Sequence, residues 1–141
     1  MGRQFTILIS DRNRNVRELL KREMVAEGYR VRLAKNGREV LEWAYHHESV
    51  DLVILDLDLP DTSELAVLQK LEDRIPTLPV VIHSFLSDYP NHQALLNAAA
   101  LVEKEGNSIE RLKRIVAEIL GKPYSKPSNI TKDNNQPPAE P

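Results

Sequence analysis

Four apolar stretches of the sequence each lead to a side chain that can take part in chemistry. The stretches FTILIS, DLVILD, PVVIHS and AALVEK lead to Asp11, Asp56, Ser84 and Lys104. If these stretches are parallel strands of one sheet, their carboxyl ends lie at the same edge, where functional groups collect in open α/β sheets. Two carboxylates, a hydroxyl and an ammonium would then share one small site.

These four groups suit phosphoryl chemistry. Paired carboxylates favour a hard divalent cation such as Mg²⁺, which takes oxygen ligands and keeps several waters. The cation and Lys104 can neutralise an incoming phosphoryl group, and a carboxylate can attack phosphorus to form an acyl phosphate. Taken singly, each residue has an ordinary alternative, because Asp11 and Asp56 also suit helix N-caps. Lys104 alone suits a surface, Ser84 a turn, and Asp58 a solvated loop.

Strand and helix signals alternate from Gln4 to Leu120. A fifth strand is predicted for YRVRLA, whose alternating arginines suit a sheet edge. Helical spacing of apolar residues follows each strand, over Val16 to Met24, Gly37 to His47, Ser63 to Arg74, Asn91 to Ala99 and Ile109 to Leu120. The expected caps are Asn36 and Ser108, and the expected helix ends are Gly28 and Gly121. Five repeats of strand and helix predict an α/β fold, a doubly wound parallel sheet with helices on both faces.

Composition narrows the classes of protein that remain. The 141 residues are 41% hydrophobic and 28% charged, which suits one domain, and the net charge of −2 gives no general attraction to nucleic acid or anionic membrane. No cysteine is present, which excludes disulfides and thiolate chemistry. No signal peptide or membrane-spanning run is visible, so we expect a cytoplasmic location.

The composition changes near Gly121. The stretch from Lys122 to Pro141 carries five of the nine prolines and almost no large apolar residues. Such a segment cannot bury enough surface to offset its ordering entropy. We therefore expect a folded domain over 1–121 and a disordered tail over 122–141, or the start of a linker to another domain.

The chain resembles the receiver domain of response regulators in two-component signalling, whose best-known member is the bacterial chemotaxis regulator. The resemblance extends over about Phe5 to Leu120. It is carried by Asp11 after ILIS, Arg17 in the first helix, Asp56 and Pro60 in LDLDLP, Ser84 after PVVIH, and Lys104 in LVEKEG. It implies the flavodoxin-like receiver fold, with strand order 2-1-3-4-5 and five helices.

By position, the resemblance also implies roles for the site residues. Asp56 corresponds to the phosphoacceptor, Ser84 to the hydroxyl that hydrogen-bonds the phosphoryl group, and Lys104 to the lysine that pairs with it. Asp11, Asp56 and the backbone carbonyl of Asp58 correspond to ligands of a Mg²⁺ ion. The implied activity is phosphoryl acceptance in a phosphorelay, with self-phosphorylation and dephosphorylation as the only chemistry.

The resemblance implies partners as well. A histidine kinase or phosphotransfer protein would donate the phosphoryl group from a phosphohistidine. An output protein of unknown identity would bind the face formed by the fourth helix, fifth strand and fifth helix, where a homodimer would also form. No nucleic acid or membrane partner is expected for this chain.

Four positions depart from the family pattern. Arg12 stands where a second acid usually ligates the metal, and a guanidinium cannot ligate a cation and opposes one electrostatically. Three outcomes are open: Arg12 takes the cation's place beside Asp56, it points to solvent, or Asp11 or Asp58 serves as the ligand instead. Phe85 replaces a small residue, Leu101 an aromatic switch residue, and Glu105 a proline.

Three other functions compete with phosphoryl acceptance. One is an interaction module that ignores phosphorylation, because Arg12 pairs with Asp56 and holds one conformation. Another is a phosphatase of the haloacid-dehalogenase type, which the pair Asp56 and Asp58 suggests but Pro60 opposes, since that family has Thr or Val there. A flavodoxin-like nucleotide binder is disfavoured because the loop SDRNRNV has no glycine to cradle phosphate.

Overall fold

Five parallel strands organise the chain. The computed structural model describes residues 4–46, 49–61, 65–89 and 93–124. The strands are β1 Thr6–Ser10, β2 Arg30–Ala34, β3 Leu52–Leu55, β4 Val80–Ser84 and β5 Ala100–Glu103. They pair in the order β2-β1-β3-β4-β5, and every pair is parallel. The predicted doubly wound sheet, its strand order and the edge position of YRVRLA are confirmed.

Helices cover both faces of this sheet and divide the core in two. The helices are α1 Arg14–Ala26, α2 Gly37–His46, α3 Ala66–Glu72 and α4 Ser108–Leu120. Leu8, Val53 and Ile82 pack toward α2 and α3. Ile7, Ile54 and Val81 pack toward α1 and α4. Because successive strand residues point to opposite faces, the central strands must be apolar at every position, as their sequences are.

Local signals set the ends of several helices. The Asn36 side chain accepts a hydrogen bond from the Glu39 N–H at 2.9 Å, which confirms the expected cap of α2. Gly28 follows α1 with φ +96°, and Gly121 ends α4 with φ +71°. The expected cap by Ser108 is wrong, because α4 already begins at Ser108 and the cap position is Asn107. The Ser108 hydroxyl instead lies 3.0 Å from Nε2 of the buried His83.

The segment between β4 and β5 differs from the predicted helix over Asn91 to Ala99. Residues Gln93–Asn97 form a 3₁₀ helix, as do Leu86–Asp88, while Asn91 and His92 lie outside the described residues. Of the two adjacent leucines there, Leu95 is buried but Leu96 is 74% exposed. The exposed Leu96 adds little packing, and helix stability in proteins comes mostly from packing. The part of the chain that the structure describes therefore has four α-helices, not five.

The residues just beyond α4 contact the domain. Lys122 Nζ lies 4.0 Å from the ring centroid of Tyr29 and donates a hydrogen bond to the Glu27 carbonyl. The Tyr124 hydroxyl donates to Glu110 Oε1 at 3.0 Å. Residues 125–141, most of the predicted tail, lie outside the described residues. Within the described ranges, no helix is long and apolar enough to cross a membrane.

Asp61, in the loop after β3, caps α2 across space. Its two carboxylate oxygens accept hydrogen bonds from the N–H groups of Gly37 at 2.7 Å and Arg38 at 3.0 Å. Burial acts to raise the pKa of Asp61, but these two hydrogen bonds, with one from its own N–H and the charge of Arg38, hold the pKa below its ordinary value of 3.8. The loop that follows Asp56 is therefore tied to the start of a helix on one face of the sheet.

Replacing Asp61 with alanine should lower the free energy of unfolding by about 1 kcal/mol, the ordinary contribution of an N-cap at a helix dipole. A depressed pKa stabilises the fold above the unfolded pKa, and that contribution disappears as pH falls through the folded pKa. Urea denaturation of wild type and Asp61→Ala near pH 7 and near pH 3 should show a difference that shrinks in acid. A difference independent of pH would contradict the role of the charged carboxylate.

Candidate functional site

The four residues predicted to form the site do meet at the carboxyl edge of the sheet. Asp11 follows β1, Asp56 follows β3, Ser84 ends β4 and Lys104 follows β5. Both aspartates are buried, at 1% and 2% exposure. All four residues line one cavity of about 240 Å³, together with Arg12, Asn13, Val16, Asp58, Phe85, Asp88 and Tyr89. The convergence expected from the parallel strands is what the fold produces.

Lys104 joins the two buried aspartates. Its Nζ lies 2.8 Å from Asp11 Oδ2 and 3.4 Å from Asp56 Oδ2. Burial raises the pKa of Asp11 above its ordinary value, although Lys104 and a hydrogen bond from the Asn13 N–H oppose the shift. A single ammonium group therefore contacts two carboxylates that are both buried.

Asp56 is oriented by two hydrogen bonds to the same oxygen. The Ser84 hydroxyl donates to Asp56 Oδ1 at 3.0 Å, and the Asp58 N–H donates to it at 3.1 Å. The Ser84 oxygen also accepts from the Leu57 N–H at 2.8 Å, which fixes the direction of its hydroxyl. Oδ1 is thus held on one side, and Oδ2, in its longer contact with Lys104, is the oxygen better placed to act as a nucleophile.

Arg12 lies at the rim of the cavity on Asp58. Its Nη1 is 3.4 Å from both carboxylate oxygens of Asp58, and the two side chains are 51% and 67% exposed. One interpretation of the sequence paired Arg12 with Asp56. Among the described residues, Arg12 forms its ion pair with Asp58 instead. The guanidinium therefore lines the same cavity as Asp56 while its ion pair is with Asp58.

Arg17 has a supporting role that the sequence interpretation did not give it. Its Nη1 donates to the backbone carbonyls of Asp11 at 2.7 Å and Arg12 at 3.1 Å. The Asn13 N–H donates to Asp11 Oδ1 at 2.9 Å, and the Asn13 side chain caps α1. The signal was available, since an arginine one turn into a helix can reach back to the loop before it. These bonds hold the loop that carries Asp11.

Phe85 lies at the mouth of the cavity. Its ring is 56% exposed, and its centroid is 5.5 Å from Lys104 Nζ. The ring also borders a neighbouring groove of about 390 Å³, lined by apolar residues of α1 and α4 and by His83. Burial, with the nearby charge of Lys104, lowers the pKa of His83 to about 4, so the imidazole is neutral at physiological pH.

The two other departures lie on β5 and in the loop after it. Leu101 is 40% exposed on the edge strand. Glu105 forms an ion pair of 2.7 Å with Arg111, which also donates to the Glu103 carbonyl. The contact fixes the loop between Lys104 and α4, where the resemblance implied a proline.

The carboxylates of this site suit a divalent cation poorly. Asp11 Oδ1 accepts from the Asn13 N–H, Oδ2 lies against Lys104, and both oxygens of Asp58 face Arg12. Within the described ranges, no group of three His, Cys, Asp or Glu side chains is placed to hold a metal ion. Mg²⁺ usually needs one or two free carboxylates and near-ideal octahedral geometry. The carboxylates of Asp11 and Asp56, two of the expected ligands, already contact Lys104 and N–H or hydroxyl donors, while the third expected ligand is the backbone carbonyl of Asp58.

The fold and this edge of the sheet define a class of protein. The family model of the response regulator receiver domain matches residues 7–117. The chain therefore belongs to the response regulator receiver domain family, which confirms the resemblance seen in the sequence.

Individual relatives agree with this assignment. The chain is 32% identical over 115 residues to response regulator RR06 of Streptococcus pneumoniae, covering 80% of this chain and 52% of that protein. It is similar to the response regulator TrrA of Thermotoga maritima, solved in complex with Mg²⁺-BeF, with TM-score 0.75, 32% identity, and coverage of 82% and 99%. TrrA bound to the histidine kinase ThkA gives TM-score 0.74, 33% identity, and coverage of 83% and 99%. The chain spans about half the length of RR06 and less of other curated relatives.

Proposed function

We propose that this chain accepts a phosphoryl group on Asp56 and thereby switches the binding of a partner. The observation that carries the proposal is the contact of one buried carboxylate with both an ammonium and a hydroxyl. Lys104 reaches Asp56 Oδ2, and Ser84 donates to Asp56 Oδ1. A nucleophile placed between two fixed donors suits a reaction in which negative charge accumulates on phosphoryl oxygens.

The proposed reaction needs no other side chain as nucleophile. Asp56 Oδ2 attacks the phosphorus of a phosphohistidine, an O–P bond forms, and the P–N bond to the imidazole breaks. The bonding electron pair stays on the imidazole nitrogen, which takes a proton from water. The aspartyl phosphate that results lies within reach of Lys104 and Ser84. Lys104, whose side chain is only 14% exposed, provides stronger charge stabilisation than it could in water.

The donor we propose is a histidine kinase or phosphotransfer protein, and support comes from TrrA, which was solved in complex with the histidine kinase ThkA. Phosphorylation would shift a two-state equilibrium of the face around β5 and α4. That face would bind an output protein, or a second copy of this chain, and Leu101 would contribute apolar surface. The expected location is the cytoplasm, where a kinase of this class delivers its phosphoryl group.

The test is phosphoryl incorporation from acetyl phosphate, followed by intact-protein mass spectrometry. Wild type should gain the mass of one phosphoryl group, which hydroxylamine should remove. Asp56→Asn should gain none, and Asp73→Asn, a matched change of an exposed aspartate outside the cavity, should behave as wild type. Incorporation that survives Asp56→Asn, or no incorporation in any metal condition, would refute the proposed acceptor.

A second candidate is an interaction module whose binding does not respond to phosphorylation. It is favoured by one contact, since the Ser84 hydroxyl already lies against Asp56 without a phosphoryl group. In that case Asp56→Asn would leave partner binding unchanged, and acetyl phosphate would neither label the chain nor alter its binding.

A further inference from the structure

The cavity around Asp56 contains fewer cations than carboxylates. Two cations, Lys104 and Arg12, line the cavity with four carboxylates, those of Asp11, Asp56, Asp58 and Asp88. A phosphoryl group carries about −1.5 to −2 charges near neutral pH and replaces the single charge of the Asp56 carboxylate, so its arrival makes the site still more negative. Lys104 cannot balance that charge alone, because Asp11 already holds its ammonium at 2.8 Å.

Arg12 is the nearby cation that can move. Its contact with Asp58 is long, at 3.4 Å, is made through one nitrogen, and lies at the exposed rim. Exposed ion pairs of this kind contribute little to stability, so releasing the guanidinium costs little. A phosphoryl group offers a stronger partner, because a planar guanidinium binds two of its oxygens at once.

The position of Asp58 places that guanidinium beside the acceptor. The Asp58 N–H donates to Asp56 Oδ1, so the two aspartates are joined through the backbone. Arg17 and Asn13 hold the loop that carries Arg12. The guanidinium thus lines the same cavity as Asp56, paired with an acid that binds it only weakly.

We propose that Arg12 takes the place of a divalent cation at this site. The guanidinium leaves Asp58 and binds the phosphoryl oxygens on Asp56, so that acceptance of the phosphoryl group needs no metal. The inference rests on the proposed function of Asp56. It explains why a cation stands where the family usually has a metal-binding acid.

The first test compares phosphoryl incorporation from acetyl phosphate in excess EDTA and in Mg²⁺. For wild type, the labelling rates in EDTA and in Mg²⁺ should agree within about threefold. Removing the metal should matter little, because Arg12 already supplies the positive charge. Arg12→Asp should label at least about 100-fold more slowly in EDTA, the usual cost of one charge-stabilising donor, and should recover in Mg²⁺. Arg14→Asp makes the same charge change on α1 without lining the cavity, and should behave as wild type.

A second measurement does not depend on labelling. Mn²⁺ titration followed by electron paramagnetic resonance should show no bound Mn²⁺ for wild type or Arg14→Asp, and one bound ion for Arg12→Asp. Arg12→Lys should bind no Mn²⁺ either, and should label more slowly than wild type in EDTA because an ammonium cannot bind two oxygens in one plane.

The outcomes separate the two proposals. Labelling of wild type at Asp56 only when Mg²⁺ is present, or a tight Mn²⁺ site in wild type, would overturn the role of Arg12 and leave the acceptor intact. Labelling of Arg12→Asp in EDTA at the wild-type rate would also overturn that role. No labelling of Asp56 in any condition, with each variant folded by circular dichroism, would overturn the proposed function itself.

Discussion

Replacing Lys104 with methionine is expected to lower the free energy of unfolding by about 3 kcal/mol near neutral pH, the cost of removing one partner from a buried ion pair. The side chain is only 14% exposed and lies between Asp11 and Asp56, both of which are buried. Without the ammonium, two carboxylates face each other out of water. The rate of phosphoryl acceptance should also fall by at least about 100-fold, because the variant lacks the ammonium that would stabilise the phosphoryl oxygens.

The loss of stability in Lys104→Met should depend on pH in a defined direction. Burial already raises the pKa of Asp11, and Lys104 opposes that rise, so the variant raises the pKa further. A raised carboxyl pKa gives stability that is fully present below the unfolded pKa and is lost as pH rises through the folded pKa. The difference between wild type and variant should therefore be largest near pH 7 and shrink as the pH falls toward acid.

Urea denaturation at several pH values measures this difference. Asp11→Asn in the Lys104→Met background should recover about half of the lost free energy of unfolding, because one of the two facing charges is removed. Lys70→Met, on the exposed side of α3, is the matched control and should change stability little. A loss in Lys104→Met that is equal at every pH would mean that lost packing, and not the unbalanced carboxylates, is responsible.

The sheet and the meeting of Asp11, Asp56, Ser84 and Lys104 could be predicted because they follow from short-range patterns. A strand buried on both faces must be apolar at each position, and parallel strands bring their carboxyl ends to one edge. Residue types that follow such strands are therefore neighbours wherever the strands lie in the sequence. No side-chain geometry is needed for that conclusion.

The placement of Arg12 could not be predicted, since it depends on a competition between nearby acids. Asp56 has Ser84, the Asp58 N–H and Lys104 as partners, whereas both oxygens of the exposed Asp58 side chain contact Arg12. The sequence shows which charges are close, but not which hydrogen bonds are already made. The expected cap by Ser108 was also wrong, because α4 already begins at Ser108, whose hydroxyl lies against the buried His83.

The predicted helix over Asn91 to Ala99 failed for a different reason. Two adjacent leucines satisfy a helical pattern only if both can face the core, and Leu96 does not. The described part of this segment, Gln93–Asn97, is a short 3₁₀ helix. Periodicity over so few apolar residues does not distinguish the two kinds of helix.

Ser84→Ala should show that the hydroxyl beside Asp56 stabilises the fold as well as the site. The Ser84 oxygen accepts from the Leu57 N–H and its hydroxyl donates to Asp56, and both contacts are buried. Alanine leaves the Leu57 N–H without that acceptor and removes one donor from a buried carboxylate. The free energy of unfolding should fall by about 2 kcal/mol, within the range for an unsatisfied buried polar group.

The same substitution should slow phosphoryl acceptance on Asp56 by roughly 10- to 100-fold, because a positioned donor to the phosphoryl oxygens is lost. Ser84→Thr keeps the hydroxyl and should retain most of the stability and the labelling, while Ser87→Ala, an exposed serine of the following 3₁₀ helix, should change neither. Urea denaturation and acetyl phosphate labelling measure the two effects separately. Wild-type stability in Ser84→Ala would mean that the Leu57 N–H finds another acceptor, and wild-type labelling would mean that the hydroxyl does not contact the phosphoryl group.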